Sequence, residues 1–114
     1  MHELSIAQSI VDSALEHAAH QSGRRVARIG VRVGDISGVN AEALEFCFGM
    51  TAKGTALEGA ALDVERISVR QRCDACAREF QPVDFDPACP VCGSTATRMI
   101  GGDELAIAYL ELEE

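Results

Sequence analysis

The feature that most constrains this 114-residue chain is a segment with four cysteines, CDACAREFQPVDFDPACPVC, at positions 73–92. It contains two Cys-x-x-Cys pairs with twelve residues between them. Two residues between cysteines allow a tight knuckle that aims both sulfurs at one point, and two facing knuckles supply four thiolates at the corners of a tetrahedron. The spacing therefore predicts a small lobe organised around a metal ion held by Cys73, Cys76, Cys89 and Cys92.

The sequence predicts which residues bind the metal more firmly than it predicts which metal they bind. Soft thiolate ligands in a tetrahedral arrangement favour zinc. Iron in a rubredoxin-like site and redox chemistry of the Cys-x-x-Cys pairs stay open as alternatives. Four thiolates fill the coordination sphere of zinc, so the predicted site is structural. The fifth cysteine, Cys47, lies on the apolar side of a predicted helix, where a free cysteine behaves as a small hydrophobic residue.

Hydrophobic periodicity predicts the elements around this segment. Apolar residues recur at helical spacing from Leu4 to about Gln21, and a second helix, capped by Asn40, continues to about Lys53. Alternating patterns predict strands in VARIGVRVG, in AALDVERISVR with a break at Glu65–Arg66, and in ELAIAYLELE. This order predicts an α+β fold, in which two helices pack on a small three-stranded sheet and a tetracysteine zinc-ribbon lobe is inserted before the last strand.

Charge and hydropathy exclude several kinds of partner. The formal net charge is −8, from 18 acidic and 10 basic residues, and only five residues are aromatic. Such a chain repels a phosphate backbone and offers few stacking surfaces, so we expect no nucleic-acid partner. No stretch is apolar enough to span a membrane, and the first residues lack the layout of a signal peptide, so we expect a cytoplasmic protein with no membrane partner.

The first three residues, Met1, His2 and Glu3, can form a metal site of a second kind. The α-amine, the backbone nitrogen of His2 and its imidazole lie a few covalent bonds apart and can close fused chelate rings around one ion. Nickel(II) and copper(II) favour square-planar nitrogen coordination of this kind. Glu3 can add a donor from its side chain or its amide. This reading requires Met1 to be the true terminus, which we expect because a bulky second residue disfavours removal of the initiator methionine.

Several motifs together resemble the HypA/HybF family of nickel metallochaperones. They are MHELSIAQSIV at the start, GDISGV before the second helix, the CDAC…CPVCG segment and the final strand, so the resemblance spans essentially the whole chain. It implies nickel binding at Met1, His2 and Glu3, and zinc binding at the four clustered cysteines. It also implies a nickel-binding domain at 1–70, a zinc-binding domain at 71–96, and a C-terminal strand at 97–114 that completes the nickel-binding domain.

The same resemblance implies how the protein works. Family members carry labile Ni(II) and structural Zn(II), and they pass nickel to the large-subunit precursor of [NiFe]-hydrogenase together with the GTPase HypB. In some organisms they also supply urease. We therefore expect a carrier and not an enzyme, because no catalytic triad, nucleotide-binding loop or convergent pair of carboxylates is visible in the sequence. A monomer and a homodimer are both compatible with the sequence.

Two features of this sequence depart from the family pattern. Some relatives place an acidic nickel donor just before the second helix, where this chain has Asn40, and neither Asp35 nor Glu42 is shown by the sequence to replace it. The cysteine segment also contains no histidine, whereas the family segment often does. The alternatives to the carrier are a zinc-ribbon interaction module with an inert N-terminus and an electron-transfer protein with iron at the four cysteines.

Overall fold

The computed structural model describes residues 2–20, 24–84 and 86–113. It contains two helices, α1 (Glu3–Ala19) and α2 (Ala41–Thr51). The six described strands are β1 (Val26–Gly34), β2 (Ala61–Ile67), β3 (Arg70–Cys73), β4 (Glu79–Phe80), β5 (Thr97–Gly101) and β6 (Leu105–Leu112). The helix starts and the α+β class agree with the sequence predictions, whereas the predicted end of the first helix at Gln21 lies outside the described residues.

The larger sheet has the strand order β2-β1-β6. The central strand β1 pairs parallel to β2 and antiparallel to β6. Alternation along β1 turns Ile29, Val31 and Val33 into the core, where each is at most 2% exposed, and leaves Arg28 and Arg32 in solvent. The two helices pack against each other and against the apolar face of this sheet, so the prediction of two helices on three strands is confirmed.

The second sheet has the order β4-β3-β5 and carries the cysteine knuckles. The sequence predicted a single interrupted strand over AALDVERISVR, and that prediction is wrong. β2 ends at Ile67 and β3 begins at Arg70, in a different sheet. The change occurs because the chain leaves β1 at this point and pairs instead with β5, which extends the hydrogen-bonded cysteine lobe to Gly101.

The two sheets meet where four segments cross beside Gly34. The Gly34 N–H donates to the Glu104 carbonyl at 2.7 Å, and the Ile36 N–H donates to the Gly102 carbonyl at 2.8 Å. A Cβ on Gly34 would lie 2.1 Å from the carbonyl oxygen of Gly102, and Gly102 itself has φ +114°. Only glycine permits this approach, so the junction between the sheets is closely packed backbone.

Tyr109 covers a gap on the solvent-facing side of the larger sheet. Its ring lies over Gly30, where a Cβ would come within 2.0 Å of ring carbon Cε2. Its hydroxyl donates to Asp63 on the far strand at 2.6 Å. One side chain from β6 therefore crosses β1 and reaches β2, which links the three strands. Neither of the two described helices combines the length and the hydrophobicity that a membrane span requires.

Candidate metal centres

The four clustered cysteines are positioned by two knuckles with the same backbone pattern. In the first knuckle, the Cys73 N–H donates to the Arg78 carbonyl and the Ala77 N–H donates to the Cys73 carbonyl, both at 2.8 Å. The corresponding bonds of the second knuckle are Cys89 to Ser94 at 2.9 Å and Gly93 to Cys89 at 2.8 Å. Both knuckles turn through a left-handed residue, with φ +64° at Ala77 and +75° at Gly93. The glycine suits this conformation, whereas the alanine is strained in it.

The knuckles bring the four sulfurs to within 4.8 Å of one another. The Cys73 and Cys92 sulfurs lie 3.6 Å apart, and the Cys76 and Cys89 sulfurs lie 3.7 Å apart. A metal with bonds of about 2.3 Å to four tetrahedral sulfurs requires separations of about 3.8 Å between them. The donor set and its spacing therefore fit a tetrahedral zinc ion, and both of these short distances join one knuckle to the other.

Electrostatics at the cluster favour a bound cation. Backbone N–H groups, that of Cys92 first and then that of Val91, lower the pKa of Cys89 to about 6. The Ser94 N–H lowers the pKa of Cys92, but the neighbouring sulfurs, Cys73 foremost, and desolvation raise it more, to about 11. The thiolate of Cys89 thus forms readily, whereas ionisation of Cys92 beside it is unfavourable. A divalent cation removes that opposition, since it stabilises all four sulfurs in the charged form.

Cys47 stands apart from this cluster. It lies on α2, half-buried, and packs against the hydrophobic core between the helices and the sheet. This placement agrees with the expectation of a small hydrophobic residue. All five cysteines are free thiols in the structure.

The residues predicted for the second site lie at the start of α1, with Met1 outside the described residues. His2 is the exposed N-cap residue of α1, and its carbonyl accepts the first helical hydrogen bond, from the Ile6 N–H at 3.0 Å. The helix itself begins at Glu3. The imidazole is therefore presented to solvent at the point where the chain enters the helix.

Glu3 makes a contact that sequence reasoning missed. Its carboxylate oxygen Oε2 accepts a hydrogen bond from the backbone N–H of Asn40 at 3.1 Å, and this bond lowers the pKa of the Glu3 carboxyl. The Asn40 side chain caps α2, as predicted, by accepting from the Ala43 N–H at 2.9 Å. The first turns of the two helices are thus joined at the candidate nickel site. No local pattern signals this contact, because 37 residues separate its partners.

Other candidate donors do not converge on His2. His17 and His20 are exposed at the opposite end of α1, and fifteen residues of helix place His17 about 22 Å from His2. Asp35 pairs with Arg66 at 3.4 Å across a surface depression that Asn40 and Glu42 also line. Among the described residues, the only group of three or more clustered metal-ligating side chains is the four cysteines.

Comparison with known proteins gives a consistent match over the whole chain. A family model described as "Hydrogenase/urease nickel incorporation, metallochaperone, hypA" matches residues 1–112. The hydrogenase maturation factor HypA of Geobacter metallireducens is 45% identical over 99% of this chain and all of that protein. The hydrogenase maturation factor HypA of Chlorobaculum tepidum is 40% identical, again over 99% of this chain and all of that protein.

Solved structures agree with this match. The solution structure of a HypA protein superposes with a TM-score of 0.78 at 25% identity, and covers 99% of this chain and 97% of its own. The solution structure of the nickel metallochaperone HypA from Helicobacter pylori superposes with a TM-score of 0.68 at 25% identity, and covers 98% of this chain and 97% of its own.

Proposed function

The chain belongs to the HypA family of metallochaperones for nickel incorporation into hydrogenase and urease, and from this premise we propose that it binds Ni(II) through Met1, His2 and Glu3. It then delivers the ion to the large-subunit precursor of [NiFe]-hydrogenase. The observation that carries this proposal is the position of His2, exposed at the first turn of α1. The same cargo would serve urease in an organism that has that enzyme.

The start of a helix suits chelation by backbone nitrogens. The first N–H groups of an α-helix have no partner within the helix, so the amide nitrogen of His2 can bind nickel without breaking a helical hydrogen bond. A deprotonated amide is negatively charged, and the positive end of the helix dipole stabilises negative charge there. Nickel can thus enter and leave at the N-terminus while α1 stays folded.

Glu3 has a double role in this proposal. A carboxylate has two oxygens, so Oε2 can keep the hydrogen bond to Asn40 while the second oxygen faces the metal. The Asn40 side chain is occupied by capping α2 and supplies no negative charge. The site therefore has fewer anionic donors than a site with an acid at position 40, which favours release of the cargo over tight retention.

The four clustered cysteines hold a structural zinc ion in this proposal. The support comes from the sulfur spacing and from the lobe itself, in which Cys73 and Cys89 are the only buried hydrophobic residues among those that the structure describes. When bound, zinc supplies the cross-link between the knuckles. The protein side chains position and shield it, and the metal takes no part in chemistry because four thiolates complete its shell.

The carrier works with other proteins and not as an enzyme. We propose a HypB-type GTPase and the hydrogenase large-subunit precursor as its partners in the cytoplasm. The family assignment to nickel incorporation supports these partners, since a transferred ion needs both a source and an acceptor.

Calorimetric titration of the untagged protein with Ni(II) tests the nickel proposal. We expect about one nickel ion per chain for the native protein and loss of binding for His2→Ala. A variant with two extra N-terminal residues should lose it as well, because the extension moves the α-amine away from the imidazole. His20→Ala is the matched control, since His20 is an exposed histidine at the C-cap of the same helix and lies far from the terminus.

The pH dependence gives a second readout on the same samples. The α-amine and the imidazole both have to lose a proton before they bind nickel, so affinity should fall steeply between about pH 7.5 and about pH 6. A flat affinity over this range, or equal binding by native protein and His2→Ala, would refute coordination by the N-terminus.

Metal analysis tests the zinc proposal. We expect one colourless zinc ion per chain in native protein and in Cys47→Ser, and loss of zinc in Cys76→Ser. Cys47 is the matched control because it is the cysteine outside the cluster. Iron in the native protein, visible as colour, would overturn the assignment.

A further inference from the structure

The outer face of α2 exposes two large apolar side chains. Phe46 has 70% of its surface exposed and Met50 has 54%. The two residues are four positions apart, so they are neighbours on one side of the helix, and the buried residues Leu44 and Phe48 lie on the other side. A single exposed apolar residue is common in soluble proteins, whereas adjacent ones form a patch on which another molecule can pack.

Gly49 lies beside these two side chains, and nothing within the chain requires glycine there. It has no positive φ, and a Cβ added to it would meet nothing within 4 Å among the described residues. Glycine is nevertheless less favourable than alanine in the middle of a helix. Its missing side chain leaves a notch next to Phe46 and Met50, where the backbone of another molecule can come close.

Acidic residues border this patch at the N-terminal end of α2. Glu42 lies one turn before Phe46, Glu45 lies one turn before Gly49, and both acids are exposed. Neither forms a salt bridge in the described part of the chain. The chain as a whole has a net charge of −8. The patch and its surroundings therefore attract a cationic partner and repel a second copy of the same chain.

The patch lies near the proposed nickel ligands. Phe46 is six residues after Asn40, which corresponds to a rise of about 9 Å along the helix. The Asn40 N–H donates a hydrogen bond to Oε2 of Glu3 at 3.1 Å, so the start of α2 contacts the N-terminal segment directly. A protein that docks on the patch would therefore lie beside the residues proposed to hold the cargo.

We propose that the face formed by Phe46, Gly49 and Met50 docks an amphipathic helix of a partner protein, with lysine or arginine residues beside its apolar stripe. The apolar stripe packs on Phe46 and Met50. The basic residues face Glu42 and Glu45. Side chains spaced by three and four residues form the ridges and grooves into which a second helix fits, and the distance between the helix axes depends on the size of the side chains at the contact. Gly49 is thus the point of closest approach.

The small size of the patch favours a transient complex. Stable interfaces bury about 800 Å² on each partner, far more than two partly exposed side chains provide. A carrier has to separate from its partner once the metal has been exchanged, so weak docking suits the proposed function. The part that the docked protein plays in nickel exchange rests on that function, whereas the docking itself does not require nickel.

Fluorescence anisotropy with the zinc-loaded, nickel-free full chain tests the docking. The probe is a labelled helical peptide of leucine, alanine and lysine, with the leucines at helical spacing and the lysines beside them. We expect saturable binding that weakens as sodium chloride is added, because salt screens the attraction between lysine and glutamate. Phe46→Ser should raise the dissociation constant about tenfold or more. Val83→Ser is the matched control, since Val83 is 74% exposed on the cysteine lobe, and it should leave the constant unchanged.

Gly49→Ala separates docking from folding. The added methyl group fills the notch and should raise the dissociation constant severalfold, although alanine stabilises the free helix. Weaker binding by a more stable protein cannot result from unfolding. His2→Ala should bind the peptide as tightly as the native protein does. A failure of docking and a failure of nickel binding are therefore seen in different measurements.

NMR chemical shifts locate the peptide on the wild-type protein. We expect the amide signals of residues 42–53 to shift and those of residues 105–112 in β6 to stay unchanged. An absence of saturable binding, equal binding by Phe46→Ser and the wild type, or shifts at 105–112 in place of 42–53 would overturn the proposal. A wild-type oligomer that Phe46→Ser converts to a monomer would assign the face to a second copy of the chain and overturn it equally.

Discussion

Replacing Gly34 by alanine tests the closest backbone approach in the molecule. The added methyl group would lie 2.1 Å from the Gly102 carbonyl oxygen and 2.5 Å from the Asp103 nitrogen. Unstrained contacts between non-bonded atoms need about 3.5 Å, so the backbone at 102–103 has to move by about 1 Å or more. No side chain can yield instead, because the atoms in the way belong to the main chain.

The magnitude follows from the hydrogen bonds that this movement disturbs. Gly34 donates to Glu104 and Ile36 donates to Gly102 at the same crossing, and each bond contributes about 0.5–1.5 kcal/mol. Alanine recovers about 0.4–1 kcal/mol by restricting the unfolded chain. We therefore expect Gly34→Ala to lower the free energy of unfolding by about 1–2 kcal/mol, within the range for overpacked sites.

Urea unfolding of the zinc-loaded protein, followed by circular dichroism, measures this difference. Gly49→Ala is the matched control, because it adds the same methyl group inside α2 where nothing lies within 4 Å. That variant should be more stable than wild type by about 0.5–1 kcal/mol, the usual preference for alanine over glycine in a helix. If Gly34→Ala were as stable as Gly49→Ala, the close packing inferred for the junction would be wrong.

Three further predictions concern single contacts. Ala77→Gly should stabilise the cysteine lobe by about 1 kcal/mol, since it relieves a left-handed alanine at the position equivalent to Gly93. The chelator concentration that removes half of the zinc should therefore rise for Ala77→Gly, whereas it should not rise for the control Ala75→Gly. Tyr109→Phe should lower the free energy of unfolding slightly through loss of the hydroxyl bond to Asp63, and an Asp63→Ala background, which has no acceptor at this position, should remove that difference. The NMR signal of the Asn40 amide proton should shift when Glu3 is protonated, at a pH below the ordinary range of a glutamate. The reason is that the pKa of Glu3 is lowered, so the bond is fully present above that range and is lost as pH falls through the folded-state pKa. An acid titration followed by NMR measures this shift, and an unchanged Asn40 signal would show that the bond is not formed in solution.

Local patterns predicted the elements whose period is set by one buried face. Ile29, Val31 and Val33 alternate because every second residue of β1 enters the core, and that alternation is legible without any tertiary information. The cysteine cluster could be predicted equally well, since the geometry of each knuckle depends on spacing within a few residues. These features need only neighbours along the chain.

Contacts between segments that lie far apart along the chain could not be predicted from the sequence. The passage from β2 to β3 has continuous strand-like composition, and only the pairing partners reveal that the sheet changes at Ser68–Val69. Gly30 reads as an outward-facing position, yet it is buried because Tyr109 lies over it. The bond from Asn40 to Glu3 joins two helix starts through folding alone. The surroundings of the proposed nickel ligands are therefore the part of the site that the sequence predicts least.

The position of the cysteine lobe between β2 and β6 also affects how the larger sheet is completed. β6 reaches β1 only after the chain has passed through the lobe, and pairing of Arg70 with Gly101 closes a loop of about 30 residues. Closing an unconstrained loop of that length costs about 3 kcal/mol of chain entropy. A metal bound at the four cysteines would hold the lobe closed, and the free energy of metal binding would offset this entropy cost. The strand β6 would then pair with β1 as though only a short turn joined it to β2. A metal bound at the four clustered cysteines would thus act as a conformational tether for the strand that completes the larger sheet.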